Sequence, residues 1–209
     1  MNMNTQGSVG QTAPLRNVTL FAQMMSKLVE RPVQLRNMGI GVFYGPSGFG
    51  KTHSAVFAAN KTSAYYIECG DSWGRSMLIE AIAHEVGVPV KGSIAKKAAT
   101  VHEALRDEDR PLIIDEADFI VKKGCIDLVR EVHDKTGIAI ALIGEETIFS
   151  TLGRFERAAN RVLEWVEAQP SDRNDARALA GIYCPGLEIA VLDDLRFAGV
   201  REDHVLMGD

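Results

Sequence analysis

Cysteine is scarce in this chain: Cys69, Cys125 and Cys184 lie far apart among 209 residues, without metal-ligand spacing. That excludes a disulfide framework and a thiolate zinc site, and fits reduced thiols in the cytoplasm. No apolar run reaches the ~20 residues that a membrane-spanning helix needs. The opening Met1-Asn2-Met3-Asn4-Thr5-Gln6-Gly7-Ser8 lacks the basic and apolar regions of a secretion signal, so no membrane partner is expected. A basic surplus is missing too. The net charge is −5, with 10 Lys and Arg against 5 Asp and Glu in residues 1–100 and 13 against 23 in residues 101–209. Global attraction to nucleic acid is thereby excluded, and only particular basic loops could serve. Repeats and low-complexity tracts are absent.

What the chain does contain is Gly45-Pro46-Ser47-Gly48-Phe49-Gly50-Lys51-Thr52, which reads G-x-x-x-x-G-K-T. The apolar Ile40-Gly41-Val42-Phe43-Tyr44 before it reads as a buried strand, and His53-Ser54-Ala55-Val56-Phe57-Ala58-Ala59 after it as a helix start. Strand, glycine loop and helix are the context of a phosphate-binding loop. Its backbone N–H groups, and the positive end of the helix behind them, would cradle the phosphates of ATP. Lys51 would reach the β- and γ-phosphates, and the Thr52 hydroxyl would sit on Mg²⁺.

The length suits one domain with an appendage. Asn17 is expected to cap a helix reaching about residue 30, with Leu20, Phe21, Met24, Met25 and Leu28 as its core stripe. Strands are expected over 64–69, 111–116, 138–143 and 162–166. Helices are expected over 76–86, 95–106 and 126–133, with a helical stretch around 146–159. Near-continuous apolar strands alternating with helices predict an α/β fold, a parallel sheet covered on both faces. Residues 1–16 read as a flexible N-terminal segment, 17–170 as the nucleotide-binding core, and 171–209 as a small helical lid.

Leu112-Ile113-Ile114-Asp115-Glu116 follows about 65 residues after the glycine loop. Four apolar residues ending in Asp-Glu match the second nucleotide motif. Asp115 would hold Mg²⁺ directly or through water, and Glu116 would orient and deprotonate the attacking water. A water-activating glutamate argues for hydrolysis over transfer to a small molecule.

The order GPSGFGKT, IIDEAD, a helix with Lys122-Lys123, then His133-Asp134-Lys135-Thr136-Gly137 and IAIALIG resembles an AAA+ ATPase. Within that superfamily the chain is similar to the phage Mu B-type DNA transposition proteins, relatives of the Tn7-type regulator and the insertion-sequence helper ATPases. Tyr66-Ile67-Glu68-Cys69 and the Arg75-Ser76-Met77-Leu78-Ile79 helix fit the same subgroup. The resemblance spans roughly residues 17–180. It implies a P-loop NTPase with a three-layer AAA+ core, working in a bacterial host as a ring or helical filament. Each ATP would then be completed by an arginine from a neighbouring copy: Arg161 is the first choice and Arg154 the second. One departure stands out. Where AAA+ proteins place an Asn or Thr that senses the γ-phosphate, this chain has Gly144-Glu145-Glu146-Thr147, and a carboxylate repels a triphosphate.

Relatives of this kind bind duplex DNA with little base reading, which requires Lys and Arg aimed at phosphates. Lys91, Lys96 and Lys97 fall where related ATPases carry channel-facing insertions, and Arg75, Lys122 and Lys123 are further loop-proximal charges. Aromatic residues do not alternate with these lysines, so a stacking platform for single strands is not expected. With about sixteen residues ahead of the core, DNA binding is expected from the AAA+ domain itself. The leading expectation is an ATPase that captures duplex target DNA and activates a transposase. A helicase loader and a protein-remodelling ATPase of a secretion or assembly machine are the alternatives.

Overall fold

The computed structural model describes residues 15–183. Residues 17–169 form one compact unit. Its elements run α1 (Arg16–Val29), a 3-10 turn (Val33–Leu35), β1 (Ile40–Tyr44), α2 (Lys51–Thr62), β2 (Tyr65–Glu68), α3 (Arg75–Val86) and α4 (Ile94–Leu105). They continue with β3 (Leu112–Asp115), α5 (Asp118–Lys122), α6 (Ile126–Thr136), β4 (Ile140–Gly144), α7 (Thr147–Leu152), α8 (Glu156–Ala159) and β5 (Val162–Glu167).

The five strands pair in parallel in the order β2-β3-β4-β1-β5. Insertion of β4 between β1 and β3 brings the C-terminal ends of those three strands side by side. Alternate side chains leave the sheet on opposite faces. On one face Phe43, Ile113, Ala141 and Ile143 pack against Phe21, Met24 and Leu28 of α1 and Ala55 and Ala58 of α2. On the other, Ile40, Val42, Leu112, Ile114 and Leu142 meet α3, α4, α5 and α6. The architecture is therefore a three-layer α/β fold, a five-stranded parallel sheet covered by helices on both faces.

Phe21, Met24, Met25 and Leu28 are buried, so the apolar stripe of α1 is core. Asn17 does not cap that helix. It lies within α1, one residue past its start, and its side chain bonds elsewhere. The expected helix around 146–159 is divided: Phe155, at φ −105° and ψ 71°, interrupts the helical path between α7 and α8. A short helix, α5, also follows β3 directly, where the acidic motif by itself indicates only a strand end.

The described residues outside this unit carry α9 (Arg173–Tyr183). Its first turn is capped by Asp172, whose Oδ1 accepts from the N–H groups of Asn174 (2.7 Å) and Asp175 (2.9 Å). The rest of the expected lid, with Cys184 and the Pro185-Gly186 break, lies outside the described residues, as does most of the N-terminal segment. Among the described residues no helix is long and apolar enough to cross a membrane.

Gly41 permits the close seating of α1, because a Cβ there would stand 2.7 Å from Leu28 Cδ1 and 3.0 Å from Met24 Sδ. Gly41→Val should cost about 1–3 kcal/mol of stability through overpacking. Denaturant unfolding of the two proteins measures this, and an unchanged midpoint would show that α1 is not seated on β1 in this way.

Candidate nucleotide-binding site

The residues of both nucleotide motifs meet at the C-terminal ends of β1, β3 and β4. Ser47, Gly48, Gly50, Lys51, Thr52, Asp115, Glu116, Gly144 and Glu145 line one cavity of about 300 Å³. In open parallel sheets this is where ligands lodge. Three glycines of the loop have positive φ: Gly45 (153°), Gly48 (84°) and Gly50 (74°). Gly50 is the left-handed residue ahead of α2, so the loop turns sharply and leads straight into the helix N-terminus. Ser47, Thr52 and His53 are exposed, Pro46 and Phe49 partly so.

The Lys51 ammonium donates to Gly45 O and Pro46 O, both at 2.8 Å. Burial lowers its proton affinity, and Glu145, Glu116, Asp115 and Asp118 oppose that shift. Asp115 is buried: Oδ2 accepts from the Tyr66 hydroxyl at 2.9 Å and Oδ1 from the Glu116 N–H at 2.8 Å. Glu116 has φ 53°, a left-handed backbone that is uncommon outside glycine. Strain of this kind concentrates at functional positions. Burial, then Asp115, Asp118 and Glu145, raise the Glu116 carboxyl above the ordinary carboxylate range, with Lys51 pulling it back. A carboxylate with raised proton affinity is suited to accepting a proton.

Three residues that organise this site are not among the site residues expected from the sequence. Asn17 is the first. Its Nδ2 donates to Phe49 O and Gln169 O (2.7 Å each), and its Oδ1 accepts from the Gln169 N–H at 2.9 Å. One side chain thus ties α1 to the glycine loop and to the segment after β5. Asp118 is the second. It is buried and accepts from the Glu145 N–H (2.6 Å) and the Thr147 hydroxyl (3.2 Å), which fixes the turn after β4. A Cβ on Gly144 would stand 2.3 Å from Asp118 Oδ2, so this turn accepts only glycine without rearrangement. The Thr147 hydroxyl is thereby engaged with Asp118, and Glu145 is the residue of that turn lining the cavity. Tyr66 is the third.

The two arginine candidates lie away from the cavity. Arg161 immediately precedes β5, and its carbonyl accepts from the N–H of Ile40 at the start of β1, so it sits at the N-terminal end of the sheet. Its guanidinium grips Asp134 (Nε to Oδ1, 2.6 Å), which Arg130 also holds at 2.6 Å. Although burial pushes the other way, the two arginines keep the Asp134 carboxyl below its ordinary range. Glu164, the second residue along from Val162 in β5, pairs with Lys27. Arg154 is exposed beside Asp127, Phe155, Glu156 and Arg157.

Three of the basic candidates, Arg75, Lys97 and Lys123, stand around α3 and the loop before it. Lys97 donates to Ser76 Oγ at 3.0 Å and pairs with Glu80, its side chain only 13% exposed. Lys123 stands 3.7 Å from Asp71 in the loop after β2. Arg75 and Lys123 both act on Cys125, whose thiol is raised chiefly by burial against their opposing pull. Lys91, Lys96 and Lys122 are exposed nearby in sequence. The loop carrying Asp71 follows β2, whose neighbour β3 ends in Asp115, and the Cys69 N–H bonds Asp115 O at 2.9 Å. The loop that Lys123 meets thus follows the strand next to the one that carries the acidic motif.

A glycine loop on a helix N-terminus, an Asp-Glu pair on the next-but-one strand and this strand order define an AAA-type ATPase domain. A family model for the AAA domain matches residues 34–152, and the chain belongs to that family. Its fold is similar to that of the Orc1 protein of Aeropyrum pernix in complex with DNA, with a TM-score of 0.59 and 18% identity over 78% of this chain and 47% of that one. It is also similar to Cdc6p of Pyrobaculum aerophilum, with a TM-score of 0.53 and 23% identity over 79% of this chain and 48% of that one. The chain spans about half the length of these solved structures. No curated protein matches it.

Asn17→Ala should leave the Phe49 and Gln169 backbone groups without partners, costing about 1–3 kcal/mol. It should also weaken ATP binding several-fold by loosening the loop. Isothermal titration with ATP checks this; unchanged affinity would remove Asn17 from the support of the loop.

Proposed function

We propose that this chain is an ATP-hydrolysing, DNA-binding AAA+ protein of the phage Mu B transposition type. It assembles on duplex DNA as a ring or filament and presents that DNA to a transposase. The observation that carries this reading is that Arg75 and Lys123 stand by the loop after β2, the strand beside the one that ends in Asp115.

The residues suit ATP and Mg²⁺. A glycine loop with left-handed turns supplies converging N–H groups, and the Thr52 hydroxyl and the Asp115 carboxylate are hard oxygen donors of the kind Mg²⁺ prefers. When bound, the metal would neutralise phosphate charge. Lys51 would exchange its two loop carbonyls for β- and γ-phosphate oxygens. Glu116 would accept the proton of the water that attacks the γ-phosphorus, and ADP would leave with the β–γ bridging oxygen. The charge of the bound metal would also reconcile the acidic lining, Glu145 included, with a polyanionic substrate.

Arg161 cannot serve its own nucleotide from the far end of the sheet, which supports action in trans on a neighbouring copy. Such an arginine contributes on the order of 10³-fold or more in rate. It would first have to release Asp134. Arg154 is the second candidate for this role.

For DNA, exposed Arg75, Lys91, Lys96, Lys122 and Lys123 would meet backbone phosphates, with Lys97 held inward among them. A second reading, a loader or initiator-type ATPase, draws support from the fold likeness to Orc1 and Cdc6p. Preference for duplex over single-stranded DNA separates the two.

Glu116→Gln should retain ATP binding while hydrolysis drops by about 10²-fold or more. A phosphate-release assay decides it, and wild-type turnover would exclude Glu116 as the base. Lys96→Glu combined with Lys123→Glu should weaken duplex binding in ATP and flatten its salt dependence by about one unit of log–log slope for each phosphate no longer engaged. Equal affinity and slope in a fluorescence-anisotropy titration would refute the patch as the DNA surface.

A further inference from the structure

Asp115 enters the cavity with both carboxylate oxygens already engaged on the protein side. The Tyr66 hydroxyl donates to Oδ2 and the Glu116 N–H to Oδ1, at 2.9 and 2.8 Å. The geometry behind the first bond comes from strand register. Tyr66 stands opposite Ile113, and Glu68 opposite Asp115, in the parallel pair of β2 and β3. Tyr66 therefore projects on the same face as Asp115, one diagonal step away, within reach of a long aromatic side chain. That face also carries α2, the helix that begins with Lys51 and Thr52.

An ionised carboxylate offers about four lone-pair positions. Two are taken here, and they hold the carboxylate plane from both ends. Each oxygen keeps one free position, which suits a single contact with a cation or with one of its waters and disfavours a bidentate grip. Partners that orient a ligating carboxylate from outside the coordination sphere contribute about 10- to 100-fold to metal affinity or activity.

We propose that Tyr66 is a positioning residue for Mg²⁺: its hydroxyl orients Asp115 so that the carboxylate presents one oxygen to the nucleotide-bound cation. The edge strand β2 thereby takes part in the metal site without touching substrate. This rests on the assignment of the cavity as the Mg²⁺–ATP site. The plainer alternative is that the phenol merely satisfies its own hydroxyl against the nearest acceptor, in which case its removal would affect stability alone.

Tyr66→Phe deletes the donor and keeps the ring. The test is equilibrium binding of a fluorescent, non-hydrolysable ATP analogue to the full chain, titrated with Mg²⁺ from a metal-free start, for wild type and variant. Metal-free affinity should match between them, while the Mg²⁺ concentration at half-effect rises about tenfold in the variant. Mn²⁺ binding followed by electron paramagnetic resonance in the presence of the analogue should weaken by a similar factor. An unchanged Mg²⁺ midpoint in the variant, with a wild type that responds to Mg²⁺, would overturn the role of Tyr66 alone. A wild type that shows no Mg²⁺-dependent binding would overturn the site assignment and this inference with it. Loss of metal-free binding in the variant would also overturn the proposal, since it would assign Tyr66 to the loop and not to the metal.

Discussion

One lysine set among four carboxylates is the constraint on which this site depends. Asp115, Glu116, Asp118 and Glu145 all act on the Lys51 ammonium, and three of them raise the Glu116 carboxyl. At Glu116 the nearby like charges add to burial in disfavouring the ionised state. The backbone answers part of this. Asp115 and Asp118 accept hydrogen bonds from the N–H groups of Glu116 and Glu145, and each accepts one hydroxyl, from Tyr66 and Thr147. What hydrogen bonds leave uncompensated is the charge that faces the cavity. In the proposed function a divalent cation carried in by a nucleotide would answer that remainder, which would give the acidic lining a physical reason.

The parallel sheet is what makes such a concentration possible. With β4 inserted between β1 and β3, the loop after β1, the Asp-Glu pair after β3 and the turn after β4 open at one end. The Gly45 N–H bonds Gly144 O, and the Ala117 N–H bonds Ile143 O, so the three connections are joined by backbone bonds as well as by side chains. The same topology puts Arg161 at the opposite end, locked to Asp134. A single copy therefore carries the cavity and this arginine at opposite ends of the sheet, the separation on which the proposed action in trans rests.

Much of this is legible in the chain. The glycine loop, the strands and the Asp115-Glu116 pair are local patterns, and each falls within a residue or two of its expected place. Contacts made over long sequence separations are not legible. Asn17 reaches across 32 and 152 residues to Phe49 and Gln169, and its chemistry as a capping type points to the wrong partner. Tyr66 meets Asp115 across 49 residues, and Asp118 meets Thr147 across 29. These bonds depend on strand order, which periodicity does not specify. Lys97 likewise looks equivalent to Lys96, yet the packing of α3 beside α4 turns it inward toward Glu80. The interruption at Phe155 does leave a local signal, since Gly153 follows α7 directly as its C-cap and glycine is a poor helix former.

Negative-stain electron microscopy tests most directly whether ATP in this cavity drives assembly on duplex DNA. The protein would be imaged with linear duplex DNA in ATP, in ADP and without nucleotide. Continuous protein coats along the duplex are predicted in ATP, and bare duplex in the other two conditions. Discrete rings that form equally with and without DNA would contradict this.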